Sequence, residues 1–472
     1  MTAATAGRPP TAAPATERYD RDALGVGALA ALCAVYVLLA VLPASEGSDL
    51  VLATDPPPAG AGESPGWLLG PLRLLGAAGA DGPLAGPLFY AGLWVALILY
   101  SVVLTRTPGI SRRLAIGAVV GLHGLFLLAP PLLSQDVFSY IAYARLGVEH
   151  DLNPYTHEPH DIPGDEVFGY TGSKGAESVY GPLFTLLTYP LVPLGVPGAF
   201  WALKLLMAAA SLGVVWLVWR SAERLGRDPL LAAMFVGLNP LVLCHVVAGA
   251  HNEALVMLVT MAGVYAFIAG RERLGAATAT AAAGIKASAG LVVPFLAFGA
   301  GRGDGGRRGS REGEEAGRRP RAVVGAIAAA GAAAAGIALV AVIGFGTDAL
   351  DALGLLSSNQ ERTSRWSFPY KTAQALGAVL PGDRFDYRDA VRTAYALAFA
   401  ALCAHLLWRT WRGADPVRMA GWATLAILVA SAWLVPWYAL WLLPLAALAG
   451  DPRLLVASIA LCAWMLPIAV PL

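Results

Sequence analysis

Ten stretches of about 20 mostly apolar residues recur along the chain, at 23–43, 84–105, 114–133, 199–219, 229–247, 252–270, 322–346, 390–410, 419–434 and 454–471. A helix of about 20 apolar residues crosses the hydrocarbon core of a bilayer. In lipid, every backbone N–H and C=O must be satisfied within a helix or a closed barrel. The pattern predicts an all-α polytopic membrane protein. Charged residues make up 14% of the 472, against about 25% in soluble domains. The net charge of +1 offers no field for nucleic acid, so no such partner is expected. Cys33, Cys244, Cys403 and Cys462 lie in apolar runs and read as small buried hydrophobes.

Arginine and lysine placement orients the spans, because short loops rich in them stay in the cytoplasm. Arg106, Arg112 and Arg113 separate two runs, as do Arg220, Arg224 and Arg227, then Arg271 and Arg273, then Arg409, Arg412 and Arg418. The loop 301–321 holds seven arginines, and with the tail and Arg453 this side carries 22 of the 33 Lys and Arg. Residues 1–22, rich in Ala, Thr and Pro, read as a disordered cytoplasmic tail. Residues 23–472 read as a single membrane domain, with loops 44–83, 134–180 and 347–389 facing outward.

Three stretches, 181–197, 274–299 and 436–449, are short or interrupted by glycine, proline or charge. Under this topology 181–197 is expected to be re-entrant or interfacial. The stretch 274–299 must enter and return with "GIKAS" at its turn, each half of about 12 residues reaching about 18 Å. Such breaks are tolerated where backbone lines a cavity or is buried in protein. They therefore point to a site. The expected count is about 11–13 transmembrane helices, with interfacial helices in the outer loops.

Asp136 opens "DVFSYIAYARLGV", whose apolar residues recur like those of an interfacial amphipathic helix. Ser134 and Asp136 suit a helix N-terminus. The other reading of Asp136 is a carboxylate at the outer surface acting as general base. Tyr155 in "NPYTHEP" and Tyr180 in "VYGPLF" offer rings for a sugar, or are incidental tyrosines beside turns. His251, Asn252 and Glu253 in "GAHNEALV" form a plain outer loop or face a cavity. Lys286 costs about 2.5–3.5 kcal/mol to insert, snorkelling is hard from mid-stretch, and a lipid phosphate would offset the cost. Arg365, Trp366, Tyr370 and Lys371 in "RWSFPYK" read as an interfacial anchor or as a grip on an anionic head group. Trp437 and Tyr438 flank Pro436, an aromatic belt by default. His123 and His405 read as packed, hydrogen-bonded histidines. No DxD-type acidic pair stands in an outer loop, so no metal or other cofactor is expected.

In their order, Asp-Val after an outgoing helix, "NPYTHEP", "YGPLF", "GAHNEA", "IKAS" and "PWYALWLLPLAAL" resemble the polyprenyl-phosphate-mannose-dependent α-1,6-mannosyltransferases of actinobacteria, within the GT-C glycosyltransferases. The resemblance runs from about residue 114 to 450. It implies a GT-C-type fold in the plasma membrane with the active site on the outer face, and the arginine placement puts the N-terminus in the cytoplasm. It also implies polyprenyl-phosphate-mannose as donor and a mannan or lipoglycan-type glycolipid as acceptor. Asp136 stands in the position of the family's base. Asn153 stands where "NPY" usually has Asp, which weakens any catalytic claim for it, and Glu253 stands where the family often has Asp. A β-linked mannosyl phosphate becomes an α-linkage in one inverting displacement. That step needs one carboxylate base and a cation for the leaving phosphate. Lys286, Arg365 and Lys371 are the candidate cations, and the remaining aromatic and polar residues are candidate substrate contacts. Arabinofuranosyl phosphate is a rival donor. A lipid-linked sugar transporter or flippase shares the broken helices and buried lysine, but does not need long outer loops with an exposed acid.

Overall fold

The computed structural model describes residues 15–45, 48, 50–51, 65–75, 84–302, 312–349, 363–381 and 384–469. Residues 1–14 of the expected tail, most of loop 44–83, 303–311 of the basic loop and 350–362 of the third outer loop lie outside them. All regular structure among the described residues is helical. The helices are α1 Ala15–Val41, α2 Gly66–Leu69, α3 Ala85–Thr105, α4 Arg112–Leu128, α5 Asp136–Glu149, α6 Pro182–Thr188, α7 Gly195–Arg224, α8 Pro229–Gly237 and α9 Glu253–Ile268. There follow α10 Glu272–Ala283, α11 Val293–Gly299, α12 Glu312–Phe345, α13 Phe368–Val379, α14 Arg384–Arg412, α15 Pro416–Ala430, α16 Ala439–Ala449 and α17 Pro452–Met465. Helix α1 begins at Ala15, inside the stretch expected to be tail. Many starts are written locally: Ser111, Asp228, Ser367, Asp415 and Asp451 each accept first-turn N–H groups.

The chain is a multi-pass membrane protein. Among the described residues five helical stretches are long and apolar enough to cross alone: Ala23–Ala44, Ala85–Thr105, Pro182–Arg224, Arg319–Phe345 and Asp386–Arg412. Shorter apolar helices include Glu253–Ile268 and Pro416–Ala430. The run 229–247 is not one straight span. Pro240 lacks an N–H, so α8 stops at Gly237 and the chain resumes as a π-helical turn, Val242–Val247. The carbonyls freed at the break, Phe235 O and Leu238 O, accept the hydroxyls of Tyr100 and Tyr36 at 2.5 and 2.6 Å. His123 is packed and hydrogen-bonded to Val119 O and Ser211, whereas His405 lies exposed on α14 beside Trp408.

The basic loops gather at one end of the bundle. Arg227 meets Asp415 at 3.5 Å, Arg418 meets Asp451 at 3.0 Å, and Arg302 donates to Ala414 O. At the other end Asn153 Nδ2 donates to Phe345 O at 2.8 Å and Ser364 N donates to Ala432 O at 2.9 Å.

All three interrupted stretches bend toward each other. Gly301 N donates to Glu272 Oε1 at 2.8 Å, so α10 and α11 leave from the same level and form a hairpin that enters and returns. Its tip, at 284–286, is bridged to the start of α6: Gly181 N donates to Ile285 O at 2.9 Å and Leu183 N to Gly284 O at 3.0 Å. These bonds satisfy backbone that the breaks leave open. They also require glycine at 181, where a Cβ would stand 2.2 Å from Gly284 O and 2.5 Å from its carbonyl carbon. Backbone there cannot move aside. Gly181→Ala is expected to lower stability by about 1–3 kcal/mol, read as a drop in thermal midpoint. An unchanged midpoint would mean that the bridge is loose.

Candidate active site

Helix α5 is not a bare interfacial helix. Val137, Phe138, Tyr140, Ile141 and Tyr143 are all buried, because the 151–178 loop folds over the helix. Tyr143 donates to Ala176 O at 2.8 Å, Ser139 bonds Thr171 at 3.0 Å, and Arg145 pairs with Asp165 at 2.8 Å. On the other side Phe138 stacks on Phe200 at 5.5 Å. Asp136 therefore sits in protein, its side chain 31% exposed.

Ser134 Oγ accepts Asp136 N–H at 3.1 Å and bonds His251 Nε2 at 3.0 Å. His251 Nδ1 donates to His245 O at 2.8 Å, and Nε2 faces Ser134 and Asp136. Nε2 lies 3.5 Å from Asp136 Oδ2. Trp437 stacks on the imidazole at 3.8 Å and 18°, which fixes the ring plane. Two non-glycine residues adjoining this contact hold left-handed backbone, Leu133 at φ 61° before Ser134 and Ala250 at φ 53° before His251. Such conformations cost about 1–2 kcal/mol each and persist where packing over-determines them.

One residue on, Asn252 N donates to the Tyr140 hydroxyl at 3.3 Å. The Asn252 amide is fully buried, and neither of its polar atoms has a hydrogen-bond partner among the described residues. Glu253 opens α9. Its Oε1 accepts Lys286 Nζ from the hairpin tip, while its buried Oε2 has no hydrogen-bond partner among the described residues. Lys286 lies 5.1 Å from the Tyr438 ring, and 5.9 Å from both Tyr180 and Trp441. Burial alone favours the neutral Asp136 carboxyl. The His251 hydrogen bond and charge, the Lys286 charge and the Ser134 bond outweigh it and hold Asp136 below the usual carboxylate range.

Asp136, Tyr180, His251, Asn252, Glu253, Lys286, Trp437 and Tyr438 thus form one group, drawn from segments about 300 residues apart in sequence. Tyr155 is a neighbour that packs instead: its hydroxyl donates to Tyr180 O at 2.9 Å and its ring meets Phe345. Asn153 accepts Tyr155 N–H and donates to Phe345 O, a structural role. Among the described residues, Arg365, Trp366 and Lys371 make no ion pair or ring contact with the Asp136 group. Trp366 and Phe368 pack on Trp464, Lys371 lies 4.5 Å over Trp366, and Arg365 is exposed. Tyr370 stands in the first turn of the same helix, α13.

Sequence reasoning missed Trp441 and Lys204. Trp441 lies three and four positions after the two aromatics that were singled out, on the same helical face. Lys204 lies within the apolar run 199–219, the signal that marked Lys286. It is fully buried, with aromatic faces of Trp201 and Phe200 at 5.4 and 5.7 Å. Its ammonium donates to Ala129 O, pinning the exit of α4 that leads into Ser134 and Asp136.

Residues 61–302 match a family described as the N-terminal domain of alpha-(1->6)-mannopyranosyltransferases. Residues 376–472 match the MptB C-terminal domain. The chain is 30% identical to alpha-(1->6)-mannopyranosyltransferase A of Mycobacterium tuberculosis over 402 residues, 80% of this chain and 75% of that protein. It is 27% identical to alpha-(1->6)-mannopyranosyltransferase A of Corynebacterium glutamicum over 198 residues, 40% of this chain and 39% of that one. Over 144 residues it is 34% identical to a probable alpha-(1->6)-mannopyranosyltransferase of Mycolicibacterium smegmatis, 29% of this chain and 26% of that one. No solved structure matches it.

Proposed function

The chain belongs to the alpha-(1->6)-mannopyranosyltransferase family, and from that premise we propose that Asp136 and Lys286 transfer mannose from a polyprenyl-phosphate carrier to an α-mannoside acceptor. It is a glycosyltransferase. The observation that carries the residue roles is the convergence of one partly exposed carboxylate and one largely buried ammonium on the same aromatic-walled group.

The displacement balances with these two charges. The acceptor hydroxyl oxygen attacks the anomeric carbon while its proton passes to the Asp136 carboxylate. The bond from that carbon to the carrier phosphate breaks, and the electron pair stays on the phosphate. Lys286 meets the charge that develops there, in a site where water competes little. Ser134 and His251 hold Asp136 toward the acceptor. Attack opposite the leaving phosphate inverts a β-linked donor into an α-linked product. The active site faces the side opposite the arginine-rich loops, the outer face under the positive-inside rule. The unpartnered Asn252 amide and Glu253 Oε2 are groups that sugar hydroxyls would satisfy.

Membranes containing the protein are expected to transfer radiolabelled mannose, but not arabinofuranose, from polyprenyl phosphate to a defined α-mannoside in α-1,6 linkage. Transfer only from the arabinosyl donor would reassign the substrate. A depressed carboxylate stays ionised until pH falls through its lowered value, below the ordinary value of about 3.9. The rate should therefore show no acid limb between about pH 5 and 7. A limb in that window would point to a different base.

A further inference from the structure

At the basic end of the bundle, away from the Asp136 group, two hollows of about 640 and 480 Å3 lie between the start of α10 and residues 320–329 of α12. Both are lined by Arg273 and Arg321, so they are two lobes of one groove. The lobes differ in chemistry. One runs along α12 over Val324, Ala328 and Ala329. The other opens at the chain turn beside Arg271 and Glu272.

Charge and position together restrict the occupant. Arg271, Arg273 and Arg321 are exposed, and none forms an ion pair among the described residues. Glu272, the acid of the groove, already accepts the Gly301 N–H. The charged lobe is thus net positive. The apolar lobe belongs to a helix whose most apolar window is only 11% covered by protein, with Val324 at 65% exposure. That surface faces hydrocarbon in a membrane. A molecule filling both lobes must carry an anionic head and an apolar tail, and must be present where the helix meets the bilayer surface.

We propose that this groove binds an anionic phospholipid, its phosphate between Arg273 and Arg321 and an acyl chain along Val324, Ala328 and Ala329. A free phosphate would leave the apolar lobe empty. A zwitterionic lipid would bring an ammonium against three guanidiniums. The site lies against the start of α10, at the base of the hairpin whose tip carries Lys286.

The test uses the purified full-length protein in detergent, with phosphatidylglycerol, phosphatidylcholine or inorganic phosphate added. Thermal midpoint and lipid retention in native mass spectrometry are read together. Phosphatidylglycerol should raise the midpoint and be retained, and the other two should do neither. The double variant Arg273→Gln/Arg321→Gln should weaken retention about thirty-fold, at about 1 kcal/mol per arginine, while its lipid-free midpoint stays at wild type. Ala328→Phe fills the tail lobe with all charges kept, and should lose retention too. Equal stabilisation by phosphatidylcholine would overturn the head-group assignment, and a shift reproduced by inorganic phosphate would overturn the lipid. Undiminished phosphatidylglycerol retention in the double variant, or in Ala328→Phe should the double variant not fold, overturns the site.

Discussion

Asp136→Asn should lower mannosyl transfer by about two to four orders of magnitude, the usual contribution of a positioned general base. The substitution keeps shape and removes only the acceptor of the proton. The fold should barely notice it, because the carboxylate is 31% exposed and its ionic contact with His251 is 3.5 Å long. Ser134 would still receive the residue-136 N–H and still bond His251. Membrane abundance and thermal midpoint should stay near wild type, and the donor concentration for half-maximal rate should change little. Loss of activity with loss of protein would say nothing about the base. Full activity in a normally abundant variant would remove Asp136 from the chemistry.

Lys286 calls for a paired experiment because it does two things at once. It neutralises the fully buried Glu253 carboxylate, and it is the cation offered to the phosphate. Lys286→Met strands Glu253, and breaking a buried pair from one side costs about 3–5 kcal/mol. That variant is expected to accumulate poorly. Lys286→Met/Glu253→Gln removes both charges and should recover most of the lost stability. If Lys286 stabilises the leaving phosphate, the recovered protein should still transfer about 10²–10³-fold more slowly, the cost of deleting one preorganised electrostatic partner. A double variant that folds and transfers at the wild-type rate would make the pair purely structural.

The straight spans were legible because a single stretch of sequence decides them. The run 84–105 is α3, and 322–346 and 390–410 are the apolar parts of α12 and α14. Hydropathy could not see the break at Asn239-Pro240 in 229–247, since averaged over the run the residues are as apolar as those of a continuous span. Nor could it see the burial of α5, whose cover comes from polar loop residues such as Asp165 and Thr171. The site was legible as a set of parts. Asp136, the His251–Asn252–Glu253 triplet and Lys286 each stood out as polar groups in apolar surroundings. What joins them is long-range: His251 reaches Ser134 across 117 residues, and Trp437 covers His251 from near the end of the chain. The segment around Arg365 carried the same kind of local signal, yet packs on Trp464. Local composition reports that a residue can grip a head group, and packing decides where it stands.

The Glu253–Lys286 pair also sets a condition on how the protein is made. Either charge alone is costly to take from water into the protein interior without its partner. The two lie 33 residues apart, at opposite ends of the unit formed by α9, its turn and α10. A ribosome delivers Glu253 first, and its counter-charge follows only when the hairpin tip has emerged. The pair therefore cannot close before residues 253–286 have all been made, which makes α9 and α10 one unit of assembly.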